Sequence, residues 1–207
     1  PLGRPIVNNI NSELYNVCKY LQKIFADLTR NNKYSINSTD NALKRLIDTN
    51  DTIKITEEAI LFTADIVTLY PNMDNERSIK ILSHALDNSK YEKLKLFIIE
   101  LTRLVLYSYD FLFQDRFYLQ THGVSMGCAF AGDLANLYLD VLDQKANIDP
   151  NASNYMRLVD DIDRIYHGTY QQFEIYKSEL NKVFPEIQLK FVTHNEKIDF
   201  LDLTIYK

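Results

Sequence analysis

Hydrophobic positions recur along the chain at two spacings, which predict a mixture of helices and strands. Several segments carry apolar residues three to four positions apart, the spacing that lines one face of a helix. We predict one helix with Ser12 as its N-terminal cap and a second, short helix with Asp40 as its N-terminal cap. Further helices are predicted over residues 75–86, 90–107, about 129–145 and 171–184.

Shorter apolar or alternating segments predict strands. Residues 61–69 are mostly apolar and contain one charged residue, Asp65, which is typical of a buried strand, and Arg4–Val7 is a second candidate. Three hairpins are expected where apolar residues flank a polar turn. They are Phe111–Gln120 around Gln114–Asp115, Tyr155–Tyr166 with Asp160 and Asp161 at its tip, and residues 188–193 with 197–206 around His194–Glu196.

Composition indicates one compact domain over residues 1–207. Apolar residues make up 46% of the chain and charged residues 25%, while Gly and Pro number five each, which leaves little room for linkers. The first residue is Pro and the last segment is strand-like, so we expect a fragment of a longer protein. Cys18 and Cys128 match no metal or redox spacing and are expected to be free buried thiols in a reducing compartment.

No signal peptide is evident, and the longest apolar stretch, Leu94–Tyr107, is interrupted by Glu100 and Arg103. It is too short and too polar to span a membrane, so an intracellular protein is expected. The formal net charge of −5 counts against a nucleic-acid partner, because phosphate contacts are usually made by a surplus of Lys and Arg.

Three carboxylates stand at the ends of strand-like segments: Asp65, Asp160 and Asp161. Each alone has an ordinary explanation, since a strand-end acid can reach solvent and acidic pairs are common in turns. On adjacent strands, however, they would repel one another and require a cation. Mg²⁺ prefers carboxylate and phosphate oxygens, and two such ions about 3.5–4 Å apart can clamp a phosphoryl transfer.

The segments around these acids resemble the palm motifs of reverse transcriptases. Phe62–Asn72 is similar to the first motif, Gln120–Gly127 continuing to Leu134–Tyr138 to the second, and Leu158–Asp161 to the third. Arg4-Pro5-Ile6 resembles the preceding finger strand, and Phe200-Leu-Asp-Leu203 resembles the strand downstream. The combination is most similar to Penelope-like retroelements. Gly132, Asp163 and Arg164 depart from the residues usual in relatives.

The resemblance implies an α/β (α+β) fold, a right-hand polymerase palm with an antiparallel sheet. Residues 1–60 would form partial fingers and residues 61–207 mainly the palm, with the thumb missing. The implied activity is that of an RNA-directed DNA polymerase that uses two Mg²⁺ ions, or Mn²⁺, in a nuclear setting. Its partners would be an RNA or DNA template with a primer, and deoxynucleoside triphosphates.

Site residues follow from the same resemblance. Asp65, Asp160 and Asp161 would be catalytic and would bind metal together with the Ile66 carbonyl. The residues expected to bind nucleotide or template are Arg4, Tyr70, Gln120, Gly123, Met126 and Gly127. Pro71 is expected to keep Tyr70 extended.

Alternatives stay open at the sequence level. Lys190 is either a group near the leaving pyrophosphate or a plain surface lysine. The chain could instead be an RNA-templated RNA polymerase, or a domesticated or decayed fragment that binds nucleic acid without catalysis.

Overall fold

The computed structural model describes residues 10, 12–50, 55–194 and 196–207. The predicted strand Arg4–Val7, and Arg4 with it, lies outside these residues. The chain divides into two compact units. Unit 1 comprises the residues up to Asn31 and Thr68–Leu139, and unit 2 comprises Asn32–Val67 and Asp140–Lys207. That the two units together form one domain stays a prediction.

Helices and strands are interspersed along the described chain. In order they are α1 (Tyr15–Thr29), α2 (Thr39–Asn50), β1 (Ile60–Val67), α3 (Leu69–Asn72), α4 (Asn75–Leu86), a 3₁₀ turn (Glu92–Leu94), α5 (Lys95–Leu106), β2 (Asp110–Phe113), β3 (Arg116–Leu119), α6 (Ala131–Ala146), β4 (Ala152–Leu158), β5 (Asp161–Tyr166), α7 (Tyr170–Asn181), β6 (Gln188–His194), β7 (Lys197–Phe200) and β8 (Leu203–Tyr206). None of the described helices is both long and apolar enough to cross a membrane.

Unit 2 is built on an antiparallel sheet with strand order β4-β5-β1-β6. Alternate residues of β1 point to opposite faces. On one face Phe62 packs against Phe173 of α7, with ring centroids 4.9 Å apart. On the other face Leu61 packs in a cluster with Ile198 of β7. Asp65 lies further along β1 on the same face as Leu61, and it is exposed to solvent.

Unit 1 contains α1, α3, α4, α5 and the β2–β3 hairpin. Phe25 of α1 meets Phe130 edge-on, with centroids 5.1 Å apart. The Asp74 carboxylate accepts a hydrogen bond from the Arg77 amide at 2.6 Å and caps α4. The hairpin turns at Gln114 and Asp115, which both adopt positive φ. The predicted helix 75–86 and the predicted turn at Gln114–Asp115 are therefore confirmed.

Two predicted caps are wrong. The first helix begins at Tyr15 after Leu14, with no side-chain cap hydrogen bond, and the Ser12 carbonyl accepts from the Tyr15 amide at 3.1 Å. In α2, Asp40 lies inside the first turn. The Ser38 hydroxyl accepts from the Asn41 amide at 3.2 Å instead. Ser and Asp both suit this position, so a register error of two residues is easily made.

Two predicted element boundaries are also wrong. The helix expected over 90–107 is shorter, because Ser89 accepts hydrogen bonds from the Tyr91 and Glu92 amides and forms a local turn before α5. The strand expected over 61–69 ends at Val67, since Thr68 adopts a φ of 55° and starts α3.

The third predicted hairpin is wrong in its pairing. β6 does not pair with β7 but joins β1 in the main sheet, and β7 pairs with β8 around a turn at Leu201, whose φ is 54°. Alternation along the sequence identifies a strand, but it does not identify the partner of that strand.

Candidate active site

A row of three charged residues crosses the sheet of unit 2. Asp65 of β1 lies directly opposite Asp161 of β5 on one side and Lys190 of β6 on the other. Directly opposed residues project from the same face, and all three are exposed. The structure therefore brings Asp65 and Asp161 together, as expected, and adds a cation to the row.

Asp160 lies in the two-residue turn that joins β4 to β5. Its carbonyl accepts a hydrogen bond from the Ile66 amide at 3.1 Å, which ties the turn to the end of β1. Val159, the other residue of this turn, has a φ of 54°. A β-branched residue rarely adopts that conformation, and such strain is often found at functional sites.

The two acids of the row repel each other, and only Asp65 has Lys190 directly opposite it. Partial burial raises the pKa of Asp161 above its ordinary value, and the neighbouring Asp160 and Asp65 raise it further. Opposed like charges on neighbouring strands destabilise a sheet. A bound cation would relieve this repulsion.

The row borders an open pocket of about 420 Å³. Asp65, Asp161 and Lys190 line it together with Asp199 and Phe200 of β7. Sequence reasoning missed Asp199, although it adjoins the Phe200–Leu203 motif that drew attention. A larger cleft of about 810 Å³ lies beside Ile60 at the other end of β1 and contains none of the predicted site residues.

The acids fit Mg²⁺ in donor type and in charge, since this ion takes carboxylate oxygens. Their side chains do not already surround one point. Within the described ranges, no three His, Cys, Asp or Glu side chains form a group that could hold a metal ion. Binding by Asp65, Asp160, Asp161 and the Ile66 carbonyl therefore stays a prediction.

The described residues predicted to contact nucleotide or template lie in unit 1. Tyr70 is inside α3, so the extended backbone expected before Pro71 is wrong. The Val124 amide donates to the Tyr70 carbonyl at 2.8 Å. Gly123 has a φ of 75°, and a Cβ there would lie 2.5 Å from the Pro71 carbonyl oxygen. Only glycine allows this close approach.

The rest of this turn is held by its own hydrogen bonds. The Gln120 side-chain amide donates to the His122 carbonyl at 3.0 Å. Met126 and Gly127 are half-buried in a turn that the Cys128 amide closes by donating to the Ser125 carbonyl at 3.0 Å. Cys18 and Cys128 are both buried, as expected, and neither forms a disulfide.

The two unusual residues after the acid pair are both buried. Asp163 is 2% exposed, and burial raises its pKa to about 7. Arg164 lies over the rings of Tyr155 and Tyr176, 5.1 and 5.9 Å from their centroids, and donates to the Ala152 carbonyl at 2.7 Å. Cation–π contact and this hydrogen bond offset part of the cost of burying the guanidinium.

Comparison with known proteins gives a fold and no family. No family model and no curated protein matches the chain. Among solved structures, apo telomerase from Candida tropicalis matches with a TM-score of 0.70 and 16% identity over 96% of this chain. Telomerase from Candida albicans, in complex with a TWJ fragment of telomeric RNA, matches with a TM-score of 0.72 and 16% identity over 93% of this chain.

An RNA-dependent RNA polymerase is similar as well. The BmCPV enzyme at its elongation state matches with a TM-score of 0.68 and 9% identity over 94% of this chain. The chain spans 40% and 38% of the two telomerase chains and 20% of the viral polymerase. These likenesses show a polymerase-like fold, mixed α/β with an antiparallel sheet.

Proposed function

We propose that this chain is the core of an RNA-directed DNA polymerase from a retroelement similar to the Penelope-like group. The observation that carries the proposal is the opposed pair Asp65 and Asp161, with Asp160 tied to β1 through the Ile66 amide, in a polymerase-like fold. Surface acids seldom share one row of a sheet, because their repulsion is unfavourable unless a ligand compensates for it.

The reaction is attack of a primer 3′-hydroxyl on the α-phosphorus of a deoxynucleoside triphosphate, with release of pyrophosphate. Two Mg²⁺ ions, when bound, would lower the pKa of the attacking hydroxyl and stabilise charge on the leaving group. Asp65, Asp160, Asp161 and the Ile66 carbonyl would hold these ions. Lys190, exposed beside Asp65, is suited to offset negative charge on the phosphates.

In unit 1, Tyr70, Gln120, Gly123, Met126 and Gly127 are proposed to contact the incoming nucleotide and the template. The support is local, because the tight approach of Gly123 to Pro71 holds this turn against the helix that carries Tyr70. Arg4, which lies outside the described residues, is proposed to face the triphosphate. A nuclear location belongs to the same proposal.

Primer extension tests the function. The protein is incubated with Mg²⁺ and primed RNA or DNA templates, and with deoxyribonucleotides or ribonucleotides. We expect deoxyribonucleotide addition on the RNA template. Extension with ribonucleotides alone would identify an RNA-templated RNA polymerase, the function of the viral polymerase with a similar fold. Template binding without extension under every condition would identify a non-catalytic nucleic-acid-binding protein and contradict the proposal.

A further inference from the structure

A buried ion pair lies next to the Val159–Asp160 turn, which Asp161 follows as the first residue of β5. Arg157 of β4 and Asp143 of α6 both have side chains with no exposed surface. The guanidinium donates two hydrogen bonds of 2.8 Å to the carboxylate, one from Nε and one from Nη2. The Tyr155 hydroxyl donates to the same carboxylate at 2.6 Å. Both carboxylate oxygens are thus occupied.

The remaining nitrogen of Arg157 reaches the strained turn. Nη1 donates to the Val159 carbonyl at 2.9 Å, and Val159 is the residue with a φ of 54°. The backbone of Arg157 is also fixed, since its amide donates to the Tyr34 carbonyl and its carbonyl accepts from the Ile36 amide. Both carbonyls of the turn are therefore held, that of Val159 by the Arg157 side chain and that of Asp160 by the Ile66 amide.

Stability alone does not explain this arrangement. Removing two charges from water costs about as much as their attraction returns, and well-packed apolar residues in place of such a pair often leave a protein equally stable. The planar fork of Arg can bind a carboxylate and direct a third nitrogen at a carbonyl, which the single ammonium of Lys cannot do with the same geometry. This geometry favours a positioning role.

We propose that Arg157, oriented by Asp143, is a positioning residue that keeps the β4–β5 turn in its strained conformation and so places Asp160 and Asp161 for metal binding. The inference rests on the proposed function. Without the bond from Nη1, Val159 relaxes toward the extended region, and the carboxylates that follow it turn away from Asp65. The expected effect is on metal binding and on the chemical step, with little effect on the KM for nucleotide.

Arg157→Lys tests this proposal, because it keeps a cation beside Asp143 and removes the fork. Tyr155→Phe is the matched control, since it also deletes a hydrogen bond to Asp143 but does not touch the Val159 carbonyl. Two readouts need no activity: hydrogen exchange of the Ile66 amide, which is bonded to Asp160, and Mn²⁺ binding followed by electron paramagnetic resonance. Primer extension adds the split between kcat and KM.

For Arg157→Lys we expect Ile66 exchange to be roughly tenfold faster and Mn²⁺ affinity to fall about 10- to 100-fold, the range for lost supporting contacts around metal ligands. For Tyr155→Phe, the Ile66 exchange rate and the Mn²⁺ affinity should both stay within about twofold of the wild-type values, well below the range for lost supporting contacts. If Arg157→Lys does not fold, the double variant Asp143→Leu/Arg157→Met removes both charges and should fold with the same two changes.

A folded variant of either kind with wild-type Ile66 exchange and wild-type Mn²⁺ affinity would overturn the positioning role. If such a variant were found while the wild type extended primers, the proposed function would stand, but Arg157 would have no positioning role in it. If the wild type bound Mn²⁺ but made no product, the function would fail. The exchange and binding data would then still decide the role of Arg157.

Discussion

Asp163 and Arg164 are buried neighbours on β5 whose side chains point to opposite faces of the sheet. Arg164 has aromatic rings and a carbonyl around it, whereas burial leaves Asp163 with a pKa of about 7 against an ordinary 3.8. The folded protein therefore binds this proton more tightly than the unfolded chain. Stability must fall as pH rises from 3.8 to about 7, because the unfolded chain ionises over this range while the folded protein still holds the proton.

Asp163→Asn should remove this pH dependence, since the amide resembles the protonated acid and carries no charge. We expect the melting temperature of the variant, measured in EDTA, to exceed that of wild type at pH 8 and to equal it at pH 4. Asp48→Asn, a change at an exposed acid of α2, controls for overall charge. A variant no more stable than wild type at pH 8 would show that Asp163 ionises without cost.

Tyr70 is proposed to contact the incoming nucleotide, and we expect its ring to select the sugar. A ring beneath C2′ of the nucleotide leaves no room for a hydroxyl, so Tyr70→Ala should admit ribonucleotides and lower deoxynucleotide use only modestly. If Tyr70 were simply a core aromatic, truncation would cost about 3–5 kcal/mol of stability and lower both activities equally. The measurement is the ratio of kcat/KM for deoxy- over ribonucleotides. An unchanged ratio in a folded variant would remove Tyr70 from the nucleotide site.

Single residues differed in how far the sequence revealed them. Asp65 was identifiable because a lone charge in an apolar strand requires a reason. The pairing of Arg157 with Asp143 was not, because these residues come from a strand and a helix, and no spacing rule relates them. Lys190 was ambiguous until the register of β6 against β1 placed it beside Asp65.

Whole helices and strands also differed in how far the sequence revealed them. Helix α4 was predicted to the residue from the helical spacing of its apolar positions, and the structure shows Asp74 as its cap. β6 was recognised as a strand, but its partner was not, since tertiary packing decides whether β1 or β7 pairs with it.

Substitution of two glycines tests how tightly the turn at Gly123 is packed against Pro71. Gly123→Ala should destabilise unit 1, because positive φ alone costs about 1–2 kcal/mol and the new Cβ would clash with Pro71. Gly132→Ala is the matched control. This glycine lies in α6, where a Cβ would meet nothing closer than the Tyr70 hydroxyl at 4.0 Å, so stability should rise by up to about 1 kcal/mol.

Chemical denaturation of the two variants measures both free energies of unfolding. Equal effects of the two substitutions would show that the approach of Gly123 to Pro71 is not rigid. A stable Gly123→Ala variant would also weaken the proposal that this turn is held tightly against the helix that carries Tyr70.

At the scale of the whole chain, charge limits how nucleic acid can be bound. The net charge is −5, and the proposed catalytic acids contribute to it. We expect residues 1–207 to bind primer–template weakly, with a shallow slope of log affinity against log salt, because few counterions are released. Fluorescence anisotropy from 50 to 200 mM salt measures the slope. Nanomolar, strongly salt-dependent binding would show that a local basic surface outweighs the net charge.

The most direct test of the central claim is primer extension by Asp65→Asn and by Asp160→Asn, each compared with Asp48→Asn. All three remove one negative charge from unit 2, but only the first two alter the proposed metal site. We predict that both lose more than about 100-fold in kcat/KM while folding normally, since loss of an outer supporting group alone costs 10- to 100-fold. Asp48→Asn should match wild type. Undiminished extension by Asp65→Asn or Asp160→Asn would contradict the claim that these acids form the catalytic site.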